Sequence, residues 1–139
     1  MNAIDTNVLL YSIDRHEPAK QLKAQQLLQQ LRTGPDSTFL LWQVLGELAN
    51  QLRRWRDQGR ISQAEFMHHV QTFRHLYPLV LPTPLVLDCA LDLASRFSLS
   101  HWDSMILGAC QVAGVTQLYT EDMGAPVNID TVELVNPVQ

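Results

Sequence analysis

Short apolar segments that alternate with longer helical segments restrict the fold of this chain more than any other feature. Apolar runs of strand length lie near residues 2–4, 39–41, 79–81 and 115–119. Helical periodicity and helix-start signals predict helices over residues 17–32, 43–58, 62–75, 84–97 and 100–114. Residues 127–134 are predicted to form a last strand or an extended tail. This alternation is typical of an α/β fold, in which a mainly parallel sheet is covered on both faces.

The size and composition of the chain fit one domain, residues 1–139. Hydrophobic residues make up 46% of the chain and charged residues 17%, as in ordinary globular domains. No apolar run approaches the roughly 20 residues that a membrane span needs, and the N-terminus shows no secretory signal. Cys89 and Cys110 lie among apolar residues and are expected to be buried free thiols, as in a reducing compartment. We therefore expect a cytoplasmic protein that does not enter a membrane.

Carboxylates stand where predicted strands end or in the helices that follow. The positions are Asp5 after the first strand, Glu47 about one turn into the next helix, Asp103 in the first turn of helix 100–114, and Glu121 and Asp122 after strand 115–119. Ligands of an open parallel sheet bind outside the carboxyl ends of its strands, so these groups are expected to share one crevice. Crowded carboxylates need cations to stay ionised, and oxygen ligands favour Mg²⁺ or Mn²⁺. The pattern indicates metal-assisted hydrolysis of a phosphodiester.

The overall charge is compatible with that chemistry. A formal net charge of −4 disfavours a protein that coats nucleic acid by electrostatic attraction. It does not disfavour an enzyme that holds metal cations over carboxylates, because the bound ions reverse the local sign of the charge.

These residues also have structural interpretations. Asp5 could be the N-cap of a short helix that begins directly after it, and Asp103 could complete a capping box at the start of its helix. Thr120 could be a minor ligand, a supporting donor or a plain turn residue. The residues alone do not choose between Glu121 and Asp122.

The ordered set of motifs resembles the PIN-domain ribonucleases, and among them the VapC-like toxins of bacterial toxin–antitoxin pairs. The motifs are DTNVLLY from residue 5, Glu47 inside a helix, HWDSMIL around Asp103 and YTEDMG around Asp122, in this order over nearly the whole chain. The resemblance implies a three-layer α/β/α domain and an endoribonuclease that depends on Mg²⁺ or Mn²⁺. It also implies a homodimer and a small antitoxin that inserts into the active-site groove.

The resemblance also assigns roles to individual residues. It implies a catalytic acidic quartet in which the three aspartates are metal ligands: Asp5, Glu47, Asp103 and Asp122. It further suggests that Thr6 and Asn7 help to shape the site, and that Thr120 is a supporting polar group. Because Thr6 and Asn7 interrupt an apolar run directly after Asp5, we also expect them to turn the chain there. One departure from the pattern is Gly46, where alanine or a larger residue is expected.

Two other functions share parts of this pattern. Phosphatases of the haloacid-dehalogenase type also carry an aspartate after the first strand, but they need a second one two residues later, where this chain has Asn7. They also need a late lysine, and the only lysines here are Lys20 and Lys23. A non-catalytic PIN-like interaction module would keep the fold without the chemistry, and the complete set of acids argues against it.

The segment RRWRDQGR at residues 53–60 concentrates arginines around Trp55. It could be a solvated helix end, where cations suit the negative end of the helix dipole. Alternatively, Arg53, Arg54 and Arg56 could contact RNA, because arginine pairs with phosphate and tryptophan can stack on a base. Both interpretations are open at the level of sequence.

Overall fold

The structure, a computed structural model, describes residues 1–139 and contains six strands and six helices. In chain order they are β1 (Asn2–Ile4), α1 (Thr6–Tyr11), α2 (Pro18–Thr33), β2 (Thr38–Leu41), α3 (Trp42–Asp57), α4 (Gln63–Leu76), β3 (Leu79–Val80), α5 (Pro84–Arg96), α6 (His101–Ala113), β4 (Gln117–Tyr119), β5 (Val127–Ile129) and β6 (Val132–Val135). The predicted helices are all present. The short helix α1 is the one for which Asp5 was considered as a cap.

The strands form one mixed sheet in the order β3-β2-β1-β4-β6-β5, and the six helices flank it. The strand β1 pairs in parallel with both β2 and β4, so that Ala3 lies opposite Phe39 on one side and Leu118 on the other. The pairs β2–β3 and β4–β6 are parallel as well, and only β5 is antiparallel to its neighbour. The prediction of an α/β fold with a mainly parallel sheet is confirmed.

The end of the chain differs from the prediction of one strand or a tail. Residues 127–135 form an antiparallel hairpin of β5 and β6, with Val127 opposite Leu134. The chain reverses at Asp130, whose φ of 53° lies in the left-handed region. Aspartate tolerates this conformation better than most residues do. Apolar residues on both sides of the turn concealed it in the sequence.

The order of the strands places a crevice at the carboxyl end of β1. The chain moves from β1 to β2 and β3 on one side, and then returns to the other side of β1 with β4. Ligands of open α/β sheets bind at such a reversal, outside the carboxyl ends of the strands. The backbone nitrogen of Asp5 donates to the carbonyl of Tyr119 at 2.8 Å, which joins the carboxyl ends of β1 and β4.

The core lies between the sheet and the buried faces of the helices. Ile4, Leu48 and Leu118 from three different elements are all at most 2% exposed. Of the two free cysteines, Cys110 is buried as expected, whereas Cys89 is only half-buried because it lies at the margin of the buried face of α5. None of the helices is both long enough and apolar enough to span a membrane.

Candidate active site

A cavity of about 270 Å³ opens at the carboxyl ends of β1 and β4. Four carboxylates line it: Asp5, Glu47, Asp103 and Asp122. The other lining residues are Thr6, Asn7, Leu10, Asn50, Gln51 and Ile106. Because no lysine, arginine or histidine is among the lining residues, ionised carboxylates make this cavity strongly negative.

Asp5 is buried at the floor of this site, with 5% of its surface exposed. Its Oδ1 accepts a hydrogen bond from the backbone nitrogen of Thr6 at 2.8 Å, and its Oδ2 accepts one from the hydroxyl of Thr120 at 2.8 Å. The pKa of Asp5 is raised from 3.8 to about 6, mainly by burial and to a smaller extent by the charges of Glu47 and Asp122, while the two hydrogen bonds oppose the rise. Asp5 is therefore a helix cap and a member of the carboxylate cluster at once.

Glu47 projects from α3 beside the buried apolar face of that helix. Its Oε2 accepts a hydrogen bond from the hydroxyl of Thr6 at 3.0 Å, and its Oε1 accepts one from the side-chain amide of Gln43 at 3.0 Å. The same amide donates to the backbone carbonyl of Trp102 at 3.1 Å. Gln43 thus holds Glu47 in place and ties α3 to the start of α6. Its spacing of four residues before Glu47 was the available sequence signal.

Asp122 and Glu121 point in different directions after β4. Asp122 lines the cavity, and its Oδ2 accepts a hydrogen bond from the side-chain amide of Asn7 at 2.8 Å. Glu121 instead forms an ion pair with Lys20 at 3.0 Å and accepts a hydrogen bond from the hydroxyl of Tyr11. The structure thus brings Asp122 into the carboxylate cluster and leaves Glu121 outside it.

Thr120 connects the two aspartates that follow β1 and β4. It is fully buried, its hydroxyl donates to Asp5, and it accepts a hydrogen bond from the backbone nitrogen of Asp122 at 3.0 Å. Thr120 therefore supports both aspartates through hydrogen bonds, which a plain turn residue would not do. The oxygen of the threonine is already occupied on both sides by protein groups.

Asp103 lies in the first turn of α6 and is half-buried. Its backbone nitrogen donates to the hydroxyl of Ser100 at 3.2 Å, but its carboxylate does not return a bond to the backbone of that residue. The capping box considered for this helix start is therefore only half formed. The carboxylate makes no hydrogen bond within the protein and faces the cavity.

Thr6 and Asn7 turn the chain away from β1 as the first residues of the short helix α1. Capping by Asp5 lets the helix start at once. The Oδ1 atom of Asn7 is buried without a hydrogen-bond partner, although the residue lines the cavity. Buried acceptors usually have a partner, so this oxygen is suited to a water molecule or a cation.

The donor set matches a hard divalent cation in kind, since it consists of carboxylate and amide oxygens. No three carboxylate, imidazole or thiol groups are close enough together to hold an ion as the side chains stand. Asp103 makes no side-chain hydrogen bond and Asp122 is exposed, so both can change rotamer more readily than Asp5 can. A cation would fit this donor set only if the outer carboxylates of Asp103 and Asp122 turned toward the fixed carboxylate of Asp5.

The arginines of residues 53–60 divide into two groups. Arg56 and Arg60 form ion pairs with aspartates at 3.1 and 3.0 Å, so they are held within the protein. Arg53 and Arg54 are exposed on α3 and form no ion pair. None of these arginines lines the carboxylate cavity itself.

Sequence reasoning missed Asn50 and Gln51, which line the cavity beyond Glu47. Their positions three and four residues after Glu47 put them on the same face of a helix. That spacing was the signal that could have identified them.

No protein-family model matches the sequence, and no curated protein matches it. Solved structures match it over nearly its full length. A toxin–antitoxin complex from Klebsiella pneumoniae gives a TM-score of 0.69 at 16% identity, covering 99% of this chain and 98% of that chain. VapBC2 from Rickettsia felis, bound to a DNA fragment from its promoter, gives a TM-score of 0.69 at 14% identity, and the match covers 96% of each chain. VapC20 from Mycobacterium tuberculosis, a toxin that cleaves the sarcin–ricin loop, gives 0.65 at 15% identity over 89% of this chain and 92% of that chain.

Identities this low show a common fold and do not transfer a reaction or a substrate. The mixed sheet, the flanking helices and the length of the chain all correspond to these structures. The chain has the α/β fold of the VapC toxins, which is the PIN-domain fold that the sequence resemblance predicted.

Proposed function

We propose that this protein is a metal-dependent endoribonuclease and the toxin of a toxin–antitoxin pair. One observation carries the proposal: four carboxylates and no cationic side chain line a single cavity at the carboxyl ends of β1 and β4. A negative cavity of this kind repels a phosphodiester unless divalent cations lie between them. The fold shared with VapC toxins also supports the proposal of a toxin nuclease.

Mg²⁺ or Mn²⁺ would be held by Asp5, Asp103 and Asp122, with Glu47 beside them. A bound ion would polarise a phosphoryl oxygen and activate the attacking water. The chain itself supplies orientation: Thr120 fixes the carboxylate of Asp5, and Thr6 with Gln43 fixes that of Glu47. The carboxylate of Asp103 has no hydrogen bond to break before it binds a cation or accepts a proton.

The test is cleavage of structured RNA by the purified protein with Mn²⁺, with Mg²⁺ and with EDTA. We expect metal-dependent cleavage that Asp103→Asn and Glu47→Gln each abolish. Asp88→Asn is the matched control, because Asp88 is an exposed carboxylate on α5 that does not line the cavity. Calorimetric titration with Mn²⁺ should show binding that both site variants weaken.

Several outcomes would contradict the proposal. Cleavage that persists in EDTA, or that survives both site substitutions, would assign the activity to another mechanism or to a contaminant. RNA binding that does not depend on metal, together with no cleavage under any condition, would favour a non-catalytic interaction module on the same fold.

The proposed partners are an RNA substrate, a small antitoxin and a second copy of the chain. Two of the similar structures contain a toxin with its antitoxin, which supports an antitoxin here.

The chain also exposes large apolar side chains around a second cavity of about 290 Å³. Among them, Trp42, Leu81 and Trp102 are 52%, 64% and 62% exposed. Exposed apolar surface of this kind is typical of a protein–protein contact. Light scattering over a range of concentrations tests the homodimer, and a constant monomer mass would exclude it.

A cytoplasmic location is part of this proposal. The proposed RNA substrate is cytoplasmic, and the chain has two cysteines that form no disulfide. Fractionation of cells that express a tagged protein would test the location, and recovery outside the cytoplasm would contradict it.

A further inference from the structure

The polar face of α3 continues past the carboxylates and ends in an unpaired arginine. Asn50 and Gln51 line the cavity next to Glu47, and neither side chain is used in a hydrogen bond within the protein. Arg54 follows one turn later, is exposed and has no ion-pair partner. These three side chains are therefore available to a ligand that extends out of the cavity along the helix.

Helix geometry separates Arg54 from its neighbour Arg53. Arg54 comes seven residues after Glu47, so it points within about 20° of the same direction and lies about 10 Å further along the axis. Arg53 comes six residues after Glu47, so it is rotated by about 120° from Glu47 and points away from the carboxylates, although it lies one turn beyond Asn50. Both residues are exposed and both lie near the same end of the helix dipole, so that dipole does not distinguish them.

The remaining arginines of the segment do not compete for this role. Arg56 is paired with Asp57, and Arg60 is paired with Asp14 and lies 4.2 Å over the ring of Trp55. Arg56 also donates to the side chain of Gln63 at 2.8 Å, so both guanidinium groups are held by contacts within the protein. Arg54 is thus the one cation of the segment that is both unpaired and on the face that carries Glu47.

We propose that Asn50, Gln51 and Arg54 form a phosphate-binding subsite for single-stranded RNA beside the carboxylate cavity. The subsite rests on the proposed nuclease function and extends it. The guanidinium of Arg54 binds a phosphate that neighbours the scissile one, and the two amides donate to backbone oxygens between them. The cavity has no cation of its own, so this subsite supplies the direct protein contact to the RNA backbone.

The experiment compares Arg54→Ala with Arg53→Ala and with Arg74→Ala. Arg74 is an exposed arginine in the last turn of α4 that forms no ion pair, so its removal controls for the loss of one charge. Cleavage of a mixed-sequence single-stranded RNA is measured with Mn²⁺ for each variant, and circular dichroism checks that each one is folded. Binding of the same fluorescein-labelled RNA is measured by anisotropy over a salt series, in the Asp103→Asn background.

We expect Arg54→Ala to lower kcat/KM by at least about tenfold, mainly through KM, as for the loss of a hydrogen bond to a charged group. The slope of log affinity against log salt should become shallower by about 0.7, the value for one phosphate contact on a single strand. Arg54→Lys should restore the salt slope and most of the affinity, and Arg74→Ala should leave both at the wild-type value. Arg53→Ala should have a clearly smaller effect than Arg54→Ala.

Equal effects of Arg53→Ala and Arg54→Ala, or none from either, would overturn the subsite. The binding assay decides this even if the wild-type protein cleaves nothing. In that case the missing cleavage counts against the proposed nuclease, and the salt slopes still show whether Arg54 contacts a phosphate.

Discussion

At the scale of single residues, Asp5 has the most unfavourable electrostatic environment in the site. It is almost completely buried near two other carboxylates, and its pKa is raised from 3.8 to about 6. Between these values the folded protein holds a proton that the unfolded chain has released. The free energy of unfolding therefore falls as the pH rises through this window.

We predict that Asp5→Asn stabilises the metal-free protein at neutral pH. The displacement of the pKa corresponds to about 3 kcal/mol, which is the upper limit of the gain because the asparagine must rearrange its bond to Thr120. Urea unfolding in EDTA measures it, at pH values below and above this window. The gain should vanish in acid, and Asp88→Asn should show no comparable gain. A variant that is less stable than wild type at every pH would contradict this prediction.

The pair of acids after β4 gives a second prediction. Changing a residue that only supports a metal ligand typically lowers metal affinity or activity by about 10- to 100-fold. If Asp122 is itself a ligand, Asp122→Asn should lower the cleavage rate by at least about 100-fold. Glu121→Gln should keep activity close to wild type, because its carboxylate is paired with Lys20 outside the cavity. Kinetics of both variants under the same metal conditions test this. A greater loss from Glu121→Gln would reverse the assignment.

The residues around a position predicted that it belongs to the site only where the position relative to a strand or helix end was informative. Asp5 and Asp103 follow a strand or start a helix, and both line the cavity. The choice between Glu121 and Asp122 depends on Lys20, which is 101 residues away in the chain. A contact at that separation leaves no local signal, so the choice of Asp122 came from the family resemblance and not from the surrounding residues.

At the scale of elements, α5 and α6 pack against each other at a glycine. A Cβ atom on Gly108 would lie 2.8 Å from the carbonyl oxygen of Val86 and 3.0 Å from the backbone nitrogen of Ala90. These are backbone atoms, so the helices themselves would have to separate. In contrast, a Cβ atom on Gly46 in α3 would meet nothing within 4 Å.

We predict opposite effects of the same substitution at these two glycines. Gly108→Ala should destabilise the protein by about 1–3 kcal/mol through overpacking of the helix pair. Gly46→Ala should stabilise it by up to about 1 kcal/mol, because alanine is the better helix former and the space is open. Guanidinium unfolding of both variants beside wild type tests the pair. Equal shifts of the two midpoints would show that helix propensity alone is being measured.

Elements were predictable from sequence where caps and periodicity agree. Ser62 and Glu65 form the capping box that opens α4, so the predicted start of this helix is correct. The hairpin of β5 and β6 was not predictable, because its turn uses Asp130 in place of a glycine and interrupts no apolar pattern. Local chemistry marks where most elements begin, but it does not reveal a turn built from an ordinary residue.

At the scale of the whole molecule, the strand order explains why distant carboxylates meet. Parallel strands on both sides of β1 bring the segments after β1 and β4 to one edge, and α3 and α6 add Glu47 and Asp103 from the adjoining helices. The alternation of strands and helices was enough to predict this convergence. It could not predict which arginines of residues 53–60 form ion pairs, because the pairing of Arg60 with Asp14 forms only in the folded chain.

The last prediction concerns the stability of the whole molecule with metal bound. Binding only to the folded state stabilises by about 2.7 kcal/mol when the free ligand is at about 100 times its dissociation constant. Mn²⁺ should therefore raise the melting temperature of the wild-type protein, and EDTA should reverse the rise.

Asp5→Asn gives this prediction its sharpest test, because the two effects on stability have opposite signs. In EDTA the variant should be more stable than wild type, since it lacks the buried charge. In Mn²⁺ the wild-type protein should gain stability and the variant should gain little, because a cation offsets the charge of Asp5 that the variant no longer has. Thermal unfolding in both conditions should thus show a reduced or reversed difference between the two proteins. An equal rise with Mn²⁺ in both would place the bound metal elsewhere than at Asp5.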